Sequence, residues 1–304
     1  MTNLVKLSVT LSLIFSINNV YADREAFEST YVPLAPEKIV IQNASIYDGD
    51  GGEFFETDVL VEDGKIIAIG KDLPFSNEFR VIDATGKWVT PGIIDIHSHM
   101  GVYPAPGVRT SSDGNEATSP VTADVWAEHS IWVQDPQYAL ALTGGVTAFH
   151  ILPGSANLIG GRGVTVKNLQ RVTINSMKFP DAPHSLKMAC GENPKRVYGN
   201  RGQAPSTRMG NAAGYRKSWI QAEGYLRRLN EYEEKSDEAK ELEYAPTRDL
   251  EMETLAGVLK GEILVHNHCY RADEMATMID IAKEFNYKIT AVSYTHLTLP
   301  TTYT

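Results

Sequence analysis

Apolar positions between residues 38 and 87 come in short alternating segments: Ile39-Val40-Ile41, Val59-Leu60-Val61 and Lys65-Ile66-Ile67-Ala68-Ile69. Gly49, Gly51-Gly52 and Asp63-Gly64 separate them, and such punctuation predicts hairpins, hence a small β domain over 38–88. From Val89 the pattern changes. The β-branched run Ile93, Ile94, Ile96 reads as a strand covered on both faces, entered at Pro91-Gly92. Further strands are predicted at 146–152, 164–167, 185–190, 263–268 and 288–292. Helical stretches alternate with them, which predicts strand–helix–strand units and a parallel sheet. One helix opens after Asp135-Pro136, carries Tyr138, Leu140 and Leu142 near its inner face and ends at Gly144-Gly145. Near 211–260 the chain turns helical and charged, with an apolar stripe of Tyr215, Trp219, Ala222, Leu226 and Leu229. A second helix is expected over 249–259 and a third from Ala272-Asp273 to Phe285. The insertion either caps the sheet or contacts another copy in a homo-oligomer.

Composition narrows the classes. With 304 residues, 42% hydrophobic and 22% charged, the chain can bury a sizeable core. Its formal net charge of −10 argues against nucleic acid as a partner and favours small-molecule chemistry. Two cysteines, Cys190 and Cys269, are too few for a disulfide scaffold; they sit at neighbouring strand ends, where a bridge is open but buried free thiols are expected. Residues 1–22 read as a secretory signal peptide: Lys6, an apolar core over 7–17, then Val20-Tyr21-Ala22. That core is too short to span a bilayer, so an exported protein, periplasmic or secreted, is expected without a stable membrane span. Residues 293–304 resemble a translated sequencing adapter and are expected to be non-native.

The candidate chemistry lies at two strand ends. In His97-Ser98-His99 the two-residue period of a strand turns both imidazoles to one side, where they can grip one metal ion. A shuffled chain of this composition would hold about 0.2 His-x-His pairs. This one has two, the second being His266-Asn267-His268 after Ile263-Leu264-Val265. The bland alternative is a set of packed or surface histidines. The Gly-rich loop 153–163 matches neither phosphate-binding spacing and is expected to let backbone approach a substrate.

Four blocks together resemble the metal-dependent amidohydrolase superfamily, in its imidazolonepropionase-related and dipeptidase-like branch. They are residues 59–70 with Ile82-Asp83-Ala84-Thr85-Gly86-Lys87; the first His-x-His strand; Gly144-Gly145-Val146-Thr147 through Gly160-Gly161; and Gly191-Glu192-Asn193-Pro194-Lys195 with the block from His266 to Asp273. The resemblance implies an α/β fold, an incomplete TIM (β/α)8-type barrel over 89–292 preceded by a small β-sandwich domain. The 204 residues from 89 to 292 (292 − 88) are short of the roughly 250 of a closed barrel, so about strands one to six are expected.

What the resemblance implies for function is hydrolysis of a carbon–nitrogen bond (amide, cyclic amide or dipeptide) by a metal-activated water, with heterocycle deamination or non-catalytic metal or ligand binding as alternatives. The implied ligands of one or two divalent ions, zinc first, are His97, His99, Glu192 and His268. Glu192 is the candidate bridge and Lys187, as a carbamate, its rival. His266 would stand behind His268, and Asp95 would orient its neighbours. His150 and Arg271 are candidates for substrate contact, with His150 equally a packed core residue; Arg201 and Arg208 are weaker candidates. The strand-six histidine and strand-eight aspartate of the family are not found in 89–292, and His296 belongs to the suspect tail. The chain is therefore expected to be an inactive fragment.

Overall fold

The computed structural model describes residues 28–292. The leader expected at 1–22 and the tail at 293–304 lie outside the described residues. Strands β1 (Ile39–Tyr47), β2 (Glu53–Glu62), β3 (Lys65–Gly70), β4 (Arg80–Asp83) and β5 (Trp88–Val89) form one mixed sheet in the order β3-β2-β1-β4, with β5 also pairing to β1. Its tightest turn follows from two residues. Asp63 and Gly64 have φ of 51° and 72°, the twist a two-residue hairpin needs, and they set the antiparallel register of β2 on β3. Ala44, Ile46, Val59 and Ala84 fill the inner face of this sheet. It occupies the region expected as a β-sandwich, and a second facing layer is not among its described elements.

A second sheet has six strands in the order β11-β10-β9-β8-β7-β6: β6 (Ile93–Ser98), β7 (Val146–Ile151), β8 (Ile159–Lys167), β9 (Ser185–Ala189), β10 (Leu264–His268) and β11 (Ile289–Val292). The sheet is open, a half-barrel. Helices α1 (Gln137–Thr143), α2 (Glu192–Gly199), α3 (Arg208–Glu233), α4 (Asp237–Glu241), α5 (Leu250–Leu259) and α6 (Ala272–Glu284) connect or cover its strands. The main core lies between α3, α5, α6 and the sheet, where Tyr215, Trp219, Ala222 and Leu229 meet Leu186, Met188, Val265 and Ile281. The charged insertion thus packs its apolar stripe directly on the sheet, and its polar face stays wet. Asp249 caps α5 by accepting from the N–H groups of Glu251 and Met252, each at 3.1 Å.

Four expectations are corrected. The sheet is not wholly parallel: β8 runs antiparallel to both β7 and β9. The link 152–158 is too short for a crossover helix, so β7 and β8 pair as a hairpin. Strand β6 is not covered on both faces, since Ile93, Ile94 and Ile96 are 53%, 60% and 61% exposed. It is the edge of its sheet, and among the described residues nothing packs outside it. On α1 only Tyr138 is buried, while Leu140 and Leu142 face out, because a two-residue step on a helix crosses to the opposite side. Finally, Cys190 and Cys269 are disulfide-bonded. They follow Ala189 and His268, the last paired residues of β9 and β10, so the in-register ladder sets their Cα atoms 5.0 Å apart.

A cluster of imidazoles around a buried lysine

The C-terminal ends of β6, β9 and β10 converge. His97 is on β6 and His99 just past it; their ring centroids are 5.1 Å apart, and that of His97 is 6.3 Å from that of His268 on β10. In the β9–β10 register His266 lies opposite Lys187 and His268 opposite Ala189, so His268 stands one step nearer the rim than His266. Lys187 is fully buried, its Nζ 3.1 Å from His97 Nε2 and donating to Pro153 O at 3.2 Å. His99 Nδ1 is 2.8 Å from Leu152 O, and His268 Nδ1 is 2.6 Å from Ser155 Oγ. The Asp95 carboxylate accepts from the backbone N–H of His97 at 3.1 Å. At the mouth the ring of Tyr103 stands edge-on to His99 at 5.8 Å, and that of Tyr270 edge-on to His268 at 4.7 Å.

Burial governs the charges. It lowers the Lys187 pKa to about 7, which makes the neutral amine accessible near neutrality. His97 is lowered to about 3 by burial first and then by the Lys187 charge, while His266 and His268 fall to about 4 for the same two reasons. His99 is also lowered, chiefly by burial. All are therefore neutral imidazoles at pH 7, the form that binds a metal ion. Among the described residues no three His, Cys, Asp or Glu side chains form a group that could by themselves hold a metal ion. The donor set that does converge is imidazoles plus the Lys187 amine. Neutral nitrogen donors of this kind suit a borderline cation such as zinc once the lysine supplies a further ligand.

No family model matches the chain. Amidohydrolase tasK of Hapsidospora irregularis is 36% identical over 266 residues, covering 82% of this chain and 27% of that protein. The crystal structure of an amidohydrolase from Thermotoga maritima MSB8 superposes with a TM-score of 0.76 at 38% identity, covering 84% of this chain and 64% of that one. These likenesses support the amidohydrolase superfamily. Dihydroorotase of Lactobacillus helveticus (strain DPC 4571) is 46% identical over 74 residues, 24% of this chain and 16% of that protein. The chain thus spans about a quarter of the length of tasK and less than two thirds of the Thermotoga amidohydrolase. The superfamily is one of hydrolases that act on carbon–nitrogen bonds.

Within this amidohydrolase-type half-barrel the anticipated residues divide. His97, His99 and His268 are brought together, with Lys187 among them. Glu192 is not: it opens α2, its side chain is 45% exposed, and it pairs with Arg196 one turn along the same helix at 3.9 Å. A carboxylate on the first turn of that helix runs along its surface instead of into the barrel. His150 is a packed residue, its two ring nitrogens 2.9 Å from Thr165 Oγ1 and 2.8 Å from Ser185 Oγ, its ring 4.5 Å from that of His266. Arg271 is paired with Asp273 at 2.6 Å, Arg208 with Glu274 at 2.6 Å, and Arg201 donates to Ala117 O. Residues 152–155 and Tyr103 were missed as site residues. The loop was expected to approach substrate, whereas its backbone approaches the imidazoles and the lysine. No spacing or composition marks Ser155; only the fold brings it to His268, 113 positions away.

Proposed function

We propose that this chain supplies the strand-end ligands of a metal-dependent hydrolase of the imidazolonepropionase-related, dipeptidase-like branch, acting on an amide, cyclic amide or dipeptide outside the cytoplasm. The observation that carries the reading is a fully buried lysine on β9, 3.1 Å from His97 Nε2, inside a group of neutral imidazoles carried by β6 and β10. A buried amine among histidines is costly for stability alone, which argues for a role. His97, His99 and His268 would hold one or two zinc ions, and Lys187, rather than the outward-facing Glu192, would bridge them. For that its neutral amine adds to the carbon of carbon dioxide: an N–C bond forms, one proton leaves, and the product is a carboxylate on the lysine.

When bound, the cation would supply Lewis-acid polarisation of the scissile carbonyl and an activated water. The chain's own residues do the rest. Leu152 O and Ser155 Oγ fix the ring orientations of His99 and His268, and Tyr103 and Tyr270 flank the entrance and limit water.

Metal counting after zinc loading in bicarbonate tests the reading. Lys187→Ala is expected to lose bound zinc and Glu192→Ala to keep it. The reverse pattern would hand the bridge to Glu192, and an unmodified chain that takes up no zinc would overturn the metal reading.

A further inference from the structure

Three residues of the four-residue segment 152–155 reach three of the proposed ligand side chains. Leu152 O is 2.8 Å from His99 Nδ1, Pro153 O accepts from Lys187 Nζ at 3.2 Å, and Ser155 Oγ is 2.6 Å from His268 Nδ1. Those side chains come from three separate places in the sheet: the end of β6, the middle of β9 and the end of β10. A carbonyl can only accept, so His99 must carry its proton on Nδ1 and present Nε2 as the lone-pair nitrogen. The same arrangement at His268 results when the Ser155 oxygen accepts.

The segment is itself fastened on both sides. Gly154 N donates to Gly114 O at 2.7 Å and Ala156 N to Asn115 Oδ1 at 3.0 Å, which ties it to the mouth loop, the segment between β6 and α1 that also carries Tyr103. Asn157 Nδ2 donates to Glu116 O at 2.8 Å and Thr122 Oγ1 at 2.7 Å, and Tyr198 OH on α2 donates to Asn157 Oδ1 at 3.0 Å. At Gly154 a Cβ would run into the side-chain ends of Asn115 and Tyr103, the latter at 2.6 Å from its OH, so a larger residue there would have to push these two side chains aside.

We infer that residues 152–155 are an orienting collar that sets the tautomers of His99 and His268 and couples the mouth loop to the ligand cluster, with Ser155 as the positioning residue for His268. The inference rests on the proposed ligand roles of these histidines, but the tautomers themselves are a property of the metal-free protein. Nothing in the collar needs an activity to be measured.

The test uses the full chain labelled with 15N-histidine. In the metal-free protein, NMR is expected to show His99 and His268 both as the Nδ1–H tautomer. In Ser155→Ala, His268 should lose that single tautomer while His99 keeps it. Zinc affinity, measured by competition with a chromophoric chelator, should fall about 10–100-fold, as is usual on loss of such an orienting partner. Ser155→Thr, which keeps the hydroxyl, should restore both readings. An unmodified protein with His99 as the Nε2–H tautomer would overturn the collar without any variant. So would a Ser155→Ala protein whose His268 tautomer and zinc affinity both match the parent. If the parent shows the expected tautomers but takes up no zinc, the metal reading fails and the collar stands.

Discussion

Replacing Lys187 by Met keeps the length of the side chain and removes the buried amine. Burial lowers its pKa to about 7 in the folded chain, against 10.5 for an unperturbed lysine, so between those values the unfolded state binds the proton more tightly. Folding stability therefore rises with pH across that window: the favourable contribution is complete above 10.5 and is lost as pH falls through 7. Between pH 7 and pH 10 the gain integrates to about 3.5 kcal/mol, close to 1.2 kcal/mol per pH unit. Other resolved shifts among the described residues act mainly outside pH 7–10, on carboxylates below 4.5, on imidazoles below 6.5, on Glu251 between 4.5 and about 7, and on Arg162, Lys38 and tyrosines from about 10 upward. Urea unfolding of the metal-free protein at pH 7, 8, 9 and 10 should show that rise, and Lys187→Met should flatten it while gaining stability at pH 7. A Met variant that keeps the parent's pH slope, or is less stable than the parent at pH 7, would refute the reasoning.

Three further outcomes follow from the same geometry. Removing the disulfide with Cys190→Ser and Cys269→Ser together opens a link across 79 positions, and a loop of that size predicts a loss of about 4.5 kcal/mol in denaturant unfolding. Trp219 is fully buried, its ring centroid 4.5 Å from that of Tyr287 in a tilted pair, so Trp219→Ala should cost about 3–5 kcal/mol, whereas Ile220→Ala, on the exposed side of the same helix, should stay within about 0.5 kcal/mol. His97 and His150, lowered to about 3, and His266 and His268, lowered to about 4, contribute stability that is complete above 6.5 and lost as pH falls toward those values; the melting temperature of metal-free protein should drop steeply from pH 6.5 to 4, and a flat profile would contradict neutral burial.

Much of the architecture was legible because local rules suffice for it. Asp63-Gly64 turned where a two-residue hairpin must, and the stripe from Tyr215 to Leu229 faced the core because a helix has one period. The His-x-His pairs landed at strand ends for the same reason: side-chain direction on a strand depends on its own residues. What the local pattern could not carry was everything set by a neighbour. Ile93, Ile94 and Ile96 look buried from composition, but exposure depends on whether a further strand lies beside them. Both cysteines read as free until the β9–β10 register set them opposite one another.

By itself, then, the sequence determined most strands and helices, though not α2 or the start of β8 inside the Gly-rich loop, together with the histidine pairs and the amidohydrolase likeness, since each depends on residues within a few positions of one another. Tertiary structure alone decided which donors meet. It turned Glu192 outward along its helix, buried Lys187 against His97, and laid residues 152–155 against side chains from three separate strands. The physical reason is that bridging, orienting and desolvating a polar group are acts of neighbours in space, and a one-dimensional spacing holds no distance between positions 155 and 268.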